Sequence, residues 1–226
     1  MANLLTLARV ALVFLIVAVW DRDSRIFAPW LDLAMVPVLA WAIFMDALDG
    51  WVARRYHEES EAGALFDIAG DRIVELALWA FFATRHDALG QPLVALWVPM
   101  AMIARTVSTD LVRSIAFGQG RTPFGASSMQ SAGWARQLTA SRWSRATYGG
   151  AKAVCFCALG LLLAWQTAPA YAGAAGVLRV VVDPLVYLTV AFCLVRAVPV
   201  LWDGRHFLRP LARTEGVGAT ASGRAA

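Results

Sequence analysis

Apolar segments of membrane-spanning length constrain this chain more than any other feature. Of its 226 residues 59% are hydrophobic and 16% are charged, whereas a soluble domain carries nearer a quarter of charged residues. A helix needs about 20 mostly apolar residues to cross a bilayer. Segments that approach this length lie at about residues 4–20, 30–45, 63–82, 92–117, 148–165 and 177–201. The sequence therefore predicts an all-α integral membrane protein with six transmembrane helices.

Both ends of the chain are expected to differ from this membrane region. Residues Asn3 to Arg9 precede the first uninterrupted apolar run, so we expect a short interfacial segment there. After Pro210 the sequence is rich in Gly, Ala, Thr and Arg, a composition that is typical of disordered tails. The sequence thus predicts one membrane domain over residues 1–209 and a disordered tail over 210–226.

Charged residues are distributed unevenly between the ends of the predicted helices. Arg54, Arg55 and the segment 118–145 fall on one side, which the positive-inside tendency assigns to the cytoplasm. No acidic residue lies between Asp110 and Asp183. The basic residues in that interval are Arg113, Arg121, Arg136, Arg142, Arg145, Lys152 and Arg179. The interval is consistent with a cytoplasmic loop, with a pocket for an anionic substrate, or with both.

Four aspartates interrupt the apolar pattern at spacings that suit helices. They are Asp46 and Asp49 near the end of the second segment, and Asp67 and Asp71 in the third. Acidic groups at membrane depth are costly unless a cation compensates them, so they indicate a functional site. Each helical residue advances by about 100°, which lets each pair share one helix face. If the two faces meet, they can hold two Mg²⁺ or Mn²⁺ ions about 4 Å apart.

Small residues and one arginine accompany the aspartates. Gly50, Ala53 and Gly63 carry little bulk, so a phosphate-bearing ligand can approach the backbone there. Arg54 offers a planar fork of donors that suits a phosphate group. Small residues at such spacings also pack membrane helices together, which is the structural alternative. The repeated aspartates favour the functional interpretation.

The combined pattern Asp-x2-Asp-Gly-x2-Ala-Arg-x8-Gly-x3-Asp-x3-Asp resembles the signature of the CDP-alcohol phosphatidyltransferase family. Its fixed positions are filled by Asp46, Asp49, Gly50, Ala53, Arg54, Gly63, Asp67 and Asp71. The resemblance implies that an acceptor hydroxyl attacks the β-phosphorus of CDP-diacylglycerol or a similar CDP-alcohol, and that CMP leaves. It also implies two metal ions: Asp46, Asp49 and Asp67 would hold one, and Asp46, Asp67 and Asp71 would hold or flank the other. Asp71 would be the general base.

The resemblance assigns further residues to the donor. Gly50, Ala53, Arg54 and Gly63 would meet the cytidine diphosphate, and Ser60 matches the position of a hydroxyl that contacts the nucleotide in similar enzymes. The segment from Asn3 to Arg9 is similar to the short interfacial helix of the family. Because that helix lies near the nucleotide, Asn3 and Thr6 are also expected to contact the donor.

Two groups of residues indicate different acceptors. Arg105 and Arg113 resemble a spacing of phosphatidylglycerophosphate synthases, and Arg145 and Lys152 fall where similar enzymes carry basic residues. In contrast, the ending Asp71-Arg72 looks like the inositol-type enzymes. Both groups favour an anionic polyol. We favour glycerol 3-phosphate and keep inositol phosphate or inositol as the alternative.

Two other functions remain open at this point. A membrane prenyltransferase also binds a magnesium diphosphate through aspartates, and a divalent-cation carrier would use the carboxylates for transport. By similarity to the family we expect a homodimer. We expect it in the bacterial cytoplasmic membrane, and the charge asymmetry places the site on the cytoplasmic side. We expect no nucleic-acid partner.

Overall fold

The computed structural model describes residues 2–22, 29–56, 61–87, 89–118, 141–168 and 170–221. Within these ranges the chain is helical and forms no β-strand, apart from one isolated bridge between His86 and Pro92. The helices are α1 (Ala2–Asp21), α2 (Pro29–Tyr56), α3 (Glu61–Thr84), α4 (Trp97–Gly118), α5 (Arg142–Thr167) and α6 (Ala172–Ala221). The prediction of an all-α chain is confirmed for the residues described.

Three stretches within these helices are long and apolar enough to cross a membrane. They are Leu4–Asp21 in α1, Ala146–Thr167 in α5 and Gly173–Arg205 in α6. Charged residues interrupt the other helices; α3, for example, carries Asp67, Asp71, Arg72 and Glu75 within three turns. These charges lower the mean hydropathy of those helices. The membrane character is supported, while six spans stay a prediction.

Two helices extend beyond the limits expected from the sequence. Helix α1 runs without a break from Ala2 to Asp21 and includes the segment Asn3–Arg9, whose interfacial position stays a prediction. The helix contains neither Gly nor Pro, and its buried residues Thr6 and Arg9 are packed inside the protein. Helix α6 extends past Pro210 to Ala221, into the segment expected to be a disordered tail. The domain limits 1–209 and 210–226 stay predictions.

The chain divides into two compact units. The first contains residues 1–102 and 150–189, and the second contains residues 103–149 and 190–226. In the first unit α1 packs against α2 and α3. Its aromatic core includes an edge-to-face contact between Trp79 and Phe156, whose ring centroids lie 4.8 Å apart. In the second unit Val112, Ala116 and Val200 form a buried cluster.

A polar cluster connects α1, α2 and α5 near the C-terminal end of α1. The Asp32 carboxylate is buried, accepts a hydrogen bond from Thr167 Oγ1 at 3.1 Å, and lies 3.3 Å from Arg22 Nη2. The indole Nε1 of Trp20 donates to the Asp32 carbonyl oxygen at 3.1 Å. Because a buried carboxylate is costly without such partners, this cluster favours one arrangement of the helix ends.

A second polar cluster closes the turn after α3. The Asp87 carboxylate accepts hydrogen bonds from the backbone N–H groups of Leu89 and Gln91, and it pairs with Arg179. Desolvation acts to raise the pKa of Asp87, but these backbone donors and the Arg179 guanidinium together hold it below its ordinary value. Gly90 provides the positive φ of 75° that the turn requires.

Gly160 offers a direct test of how tightly the first unit is packed. The Trp20 indole lies over this glycine, and an added Cβ would stand 2.7 Å from Trp20 Cη2. We expect Gly160→Ala to destabilise the fold by about 1–3 kcal/mol, because the buried ring must move. Gly150→Ala, in the same helix with nothing within 4 Å, should instead stabilise it by about 0.5–1 kcal/mol. Thermal unfolding in detergent measures both; equal melting temperatures for the two variants would contradict the packing described.

Candidate metal centre

Three of the four predicted aspartates converge in the first unit. Asp46 comes from α2, and Asp67 and Asp71 come from successive turns of α3. One carboxylate oxygen of each lies within 4.8 Å of the others. Their side chains are 44%, 43% and 44% exposed, so one side of the group is open. A compact set of carboxylate oxygens is the type of site that Mg²⁺ and Mn²⁺ prefer.

The buried side of this group is closed by Arg9, whose side chain is only 3% exposed. Its Nη1 donates a hydrogen bond to Asp46, and its Nη2 lies 2.8 Å from Asp71 Oδ1. Nη2 also lies 3.6 Å from Asp67 Oδ1. We did not assign Arg9 to the site from the sequence. The available signal was a single arginine in an apolar segment, which by itself indicates a buried partner.

Gly70 explains how α1 reaches the carboxylates. It lies in α3 between Asp67 and Asp71, and an added Cβ would stand 2.5 Å from Thr6 Cγ2 and 3.4 Å from Arg9 Nη2. The missing side chain therefore allows α1 to approach the backbone of α3 closely. This approach brings the Arg9 guanidinium between the two aspartate-bearing helices. Thr6, which we expected near the donor nucleotide, is buried at this contact.

One carboxylate oxygen in the group, Asp67 Oδ1, is buried. It receives no hydrogen bond from the part of the chain that the structure describes. The arginine nitrogen at 3.6 Å is too distant for a hydrogen bond. A buried carboxylate oxygen in this state is available as a ligand for a cation. The residues present therefore fit a divalent ion.

A second ionic cluster continues along the same stripe of α3. Glu75 follows Asp71 by one turn, and its side chain is 3% exposed. Lys152 Nζ of α5 lies 3.0 Å from Glu75 Oε2, and Arg72 Nη1 lies 3.7 Å from the same oxygen. Lys152 was predicted to bind the acceptor, and the structure places its ammonium group in an ion pair with Glu75. Glu75 was not among the predicted site residues.

The predicted arginines of α4 lie in the second unit. The Arg105 guanidinium lies 5.9 Å from the centre of the Tyr148 ring, and that of Arg196 lies 5.0 Å from it. Arg196 also donates a hydrogen bond to Ser144 Oγ. Arg113 lies 3.3 Å from Asp110 Oδ1 on its own helix. Two guanidinium groups therefore share Tyr148, and Arg196 was not recognised from the sequence.

The structure describes the remaining predicted site residues only in part. Asn3 lies in α1, Gly63 lies in α3 and Arg145 lies in α5. The side chains outside the described part of the structure are those of Asn3, Asp49, Ala53, Arg54, Ser60 and Arg145. The backbones of Asp49, Gly50, Ala53 and Arg54 continue α2, as their spacing predicted. The binding roles assigned to all these residues stay predictions.

Comparison with known proteins identifies the family. No curated protein matches the chain. The sequence model described as CDP-alcohol phosphatidyltransferase matches residues 1–195, which include all of α1 to α5 and the whole stretch from Asp46 to Asp71. This match covers most of the chain, and it agrees with the convergence of the aspartates. The chain belongs to the CDP-alcohol phosphatidyltransferase family and is therefore an enzyme of a transferase family.

Proposed function

We propose that this enzyme transfers a phosphatidyl group from CDP-diacylglycerol to a hydroxyl of a polar acceptor in a metal-dependent reaction. The family establishes the reaction class, transfer from a CDP-alcohol in phospholipid biosynthesis. The observation that carries the finer proposal is the convergence of Asp46, Asp67 and Asp71, whose ligand oxygens lie within 4.8 Å of one another. An all-oxygen site of this size suits the cation that accompanies a diphosphate.

The proposed reaction exchanges one phosphorus–oxygen bond for another. The acceptor oxygen forms a bond to the β-phosphorus, the bond from that phosphorus to the bridging oxygen breaks, and CMP leaves with this oxygen. The acceptor's proton passes to the carboxylate of Asp71, which is partly exposed and so accessible to a substrate. Asp46, Asp49, Asp67 and Asp71 would hold two Mg²⁺ or Mn²⁺ ions, which when bound stabilise negative charge on the diphosphate.

The donor is proposed to lie along the small residues that follow Asp49. Gly50, Ala53 and Gly63 leave space for a nucleotide, and Arg54 and Ser60 supply polar groups for the cytidine diphosphate. Asn3 and Thr6 are proposed as further contacts. Thr6 lies one turn before Arg9 in α1, and its contact with Gly70 supports a position close to the carboxylates.

The acceptor is proposed to be an anionic polyol. Arg105, Arg113, Arg145 and Lys152 are proposed as candidate basic residues for it, each from its position in the sequence. Such groups suit a phosphate-bearing acceptor better than a zwitterion. We favour glycerol 3-phosphate, with inositol phosphate or inositol as the alternative.

The proposed setting is the bacterial cytoplasmic membrane, with the site facing the cytoplasm. Three apolar helical stretches support the membrane assignment, and α2 to α4 are proposed as additional spans. A homodimer is proposed from the resemblance to the family. A prenyltransferase or a cation carrier would leave the family match and the residues Gly50, Ala53 and Arg54 without an explanation.

A panel of acceptors tests the proposal. Purified enzyme in detergent with Mg²⁺ and CDP-diacylglycerol is offered glycerol 3-phosphate, inositol 1-phosphate, inositol or serine, each separately, and CMP release is measured. We expect release with glycerol 3-phosphate and none above background with serine. Release with inositol 1-phosphate alone would replace the favoured acceptor with the alternative. Release with serine alone would contradict an anionic acceptor, and failure to bind labelled CDP-diacylglycerol would contradict the proposed donor.

A further inference from the structure

We infer that Arg9 is a positioning residue of the carboxylate group, a fixed internal cation that holds Asp46, Asp67 and Asp71 together and weakens their affinity for divalent ions. The inference rests on the proposed metal site and extends it to a residue of α1. It is carried by the burial of the guanidinium, by its contacts to both aspartate-bearing helices, and by the open side opposite to it.

The charges of the group require a cation from the protein. Three carboxylates within 4.8 Å carry a formal charge of −3 and repel one another. Arg9 reduces the formal charge of these three carboxylates to −2. The two nitrogens at the end of its fork contact Asp46 of α2 and Asp71 of α3. Arg9 can therefore keep the two helices together before any metal ion binds.

The surroundings of Arg9 keep its guanidinium at this position. The side chain is 3% exposed, and it packs against α3 at Gly70, where an added Cβ would stand 3.4 Å from Arg9 Nη2. The carboxylates, at 43–44% exposed, remain accessible from the other side. An ion held by these carboxylates would be repelled by the guanidinium, which contacts two of them.

This repulsion distinguishes a positioning role from a purely structural one. A structural ion pair would change only the stability of the fold when it is removed. A fixed cation beside the site also competes with divalent ions for the same carboxylate charge. A neighbouring charge at about 4–6 Å typically changes the proton affinity of a carboxylate by about ten- to a thousandfold, and a divalent ion carries a larger charge than a proton. We therefore expect the weakened affinity to be large enough to measure directly.

Direct Mn²⁺ binding to the purified full-length protein, followed by electron paramagnetic resonance, tests the inference. Arg9→Gln should bind Mn²⁺ at least about tenfold more tightly than the unmodified protein. Its melting temperature should be lower without metal and should rise more when Mn²⁺ is added. Arg9→Lys keeps the charge but cannot bridge both helices as a fork, so its Mn²⁺ affinity should stay within about threefold while its melting temperature falls. An unchanged or weaker affinity in Arg9→Gln would overturn the inference.

Two further variants distinguish an error in the proposed metal site from an error in the role of Arg9. Arg22→Gln removes another buried arginine–aspartate pair of the first unit, with Asp32, and should lower the melting temperature without changing Mn²⁺ binding. Asp67→Asn should weaken Mn²⁺ binding at least about tenfold if the metal site is correct. Normal binding in Asp67→Asn would refute the metal site itself. Weak binding in Asp67→Asn together with unchanged affinity in Arg9→Gln would refute only the role of Arg9. If Arg9→Gln does not fold, a tenfold change in Arg9→Lys overturns the inference instead.

Discussion

Asp71→Asn is expected to lower CMP release by about 10²–10⁴-fold, the range typical for loss of a general base. Asparagine keeps the shape of the side chain but cannot accept the acceptor's proton, and it removes one negative charge from the group of three aspartates. The substitution also removes the carboxylate that lies 2.8 Å from Arg9. The measurement is kcat for CMP release from CDP-diacylglycerol with saturating acceptor and Mg²⁺, accompanied by thermal unfolding.

A matched control is available in α6. The carboxylate of Asp183 is 42% exposed, close to the 44% of Asp71, and it also pairs with an arginine, Arg179. Asp183→Asn should leave kcat within about twofold, because Asp183 lies outside the proposed catalytic group. Full CMP release by Asp71→Asn would refute the proposed role of Asp71. An equal loss in both variants would indicate a general effect on folding.

Removal of divalent ions is expected to reduce CMP release at least about 10²-fold, because the carboxylates alone cannot neutralise a diphosphate. Asp46, Asp67 and Asp71 provide only negative charge on the open side of the site, and Asp67 Oδ1 has no hydrogen-bond donor among the described residues. Dialysis against EDTA followed by measurement of CMP release tests this expectation. Addition of Mg²⁺ or Mn²⁺ should restore the activity.

Two controls make the chelation experiment specific. EDTA that is saturated with Mg²⁺ beforehand should leave the rate unchanged, which excludes an effect of the chelator on the membrane protein. Ca²⁺ should restore less activity than Mg²⁺, since it takes more ligands at 2.3–2.6 Å than this compact group supplies. Full activity after exhaustive dialysis against EDTA would refute metal dependence while leaving the family assignment intact.

Local spacing made much of the site predictable. Asp67 and Asp71 are four residues apart, so any helix through them places both carboxylates on one face. Asp46 ends the preceding apolar segment, and the short connection between the helices limits where α3 can begin. The sequence therefore allowed these three side chains to converge, and the structure brings them together. Their binding roles remain proposals.

Contacts between distant residues could not be predicted in the same way. Arg9 and Asp46 are separated by 37 residues, and Lys152 and Glu75 by 77. Helix α1 is apolar on nearly all sides, so its sequence does not show which face turns toward α3. Arg9 could be interpreted only as an interruption of the first span. The sequence around Lys152 likewise does not show that its ammonium group pairs with Glu75.

By itself the sequence determined the helical class, the family and the aspartates, because these depend on periodicities within single helices and on a gapless pattern of residues. Only the tertiary structure decided that Arg9 closes the carboxylate group and that Glu75 holds Lys152. The physical reason is that ion pairs between helices depend on how closely the backbones approach. At this site the missing side chain of Gly70 permits the approach that brings Arg9 to the aspartates.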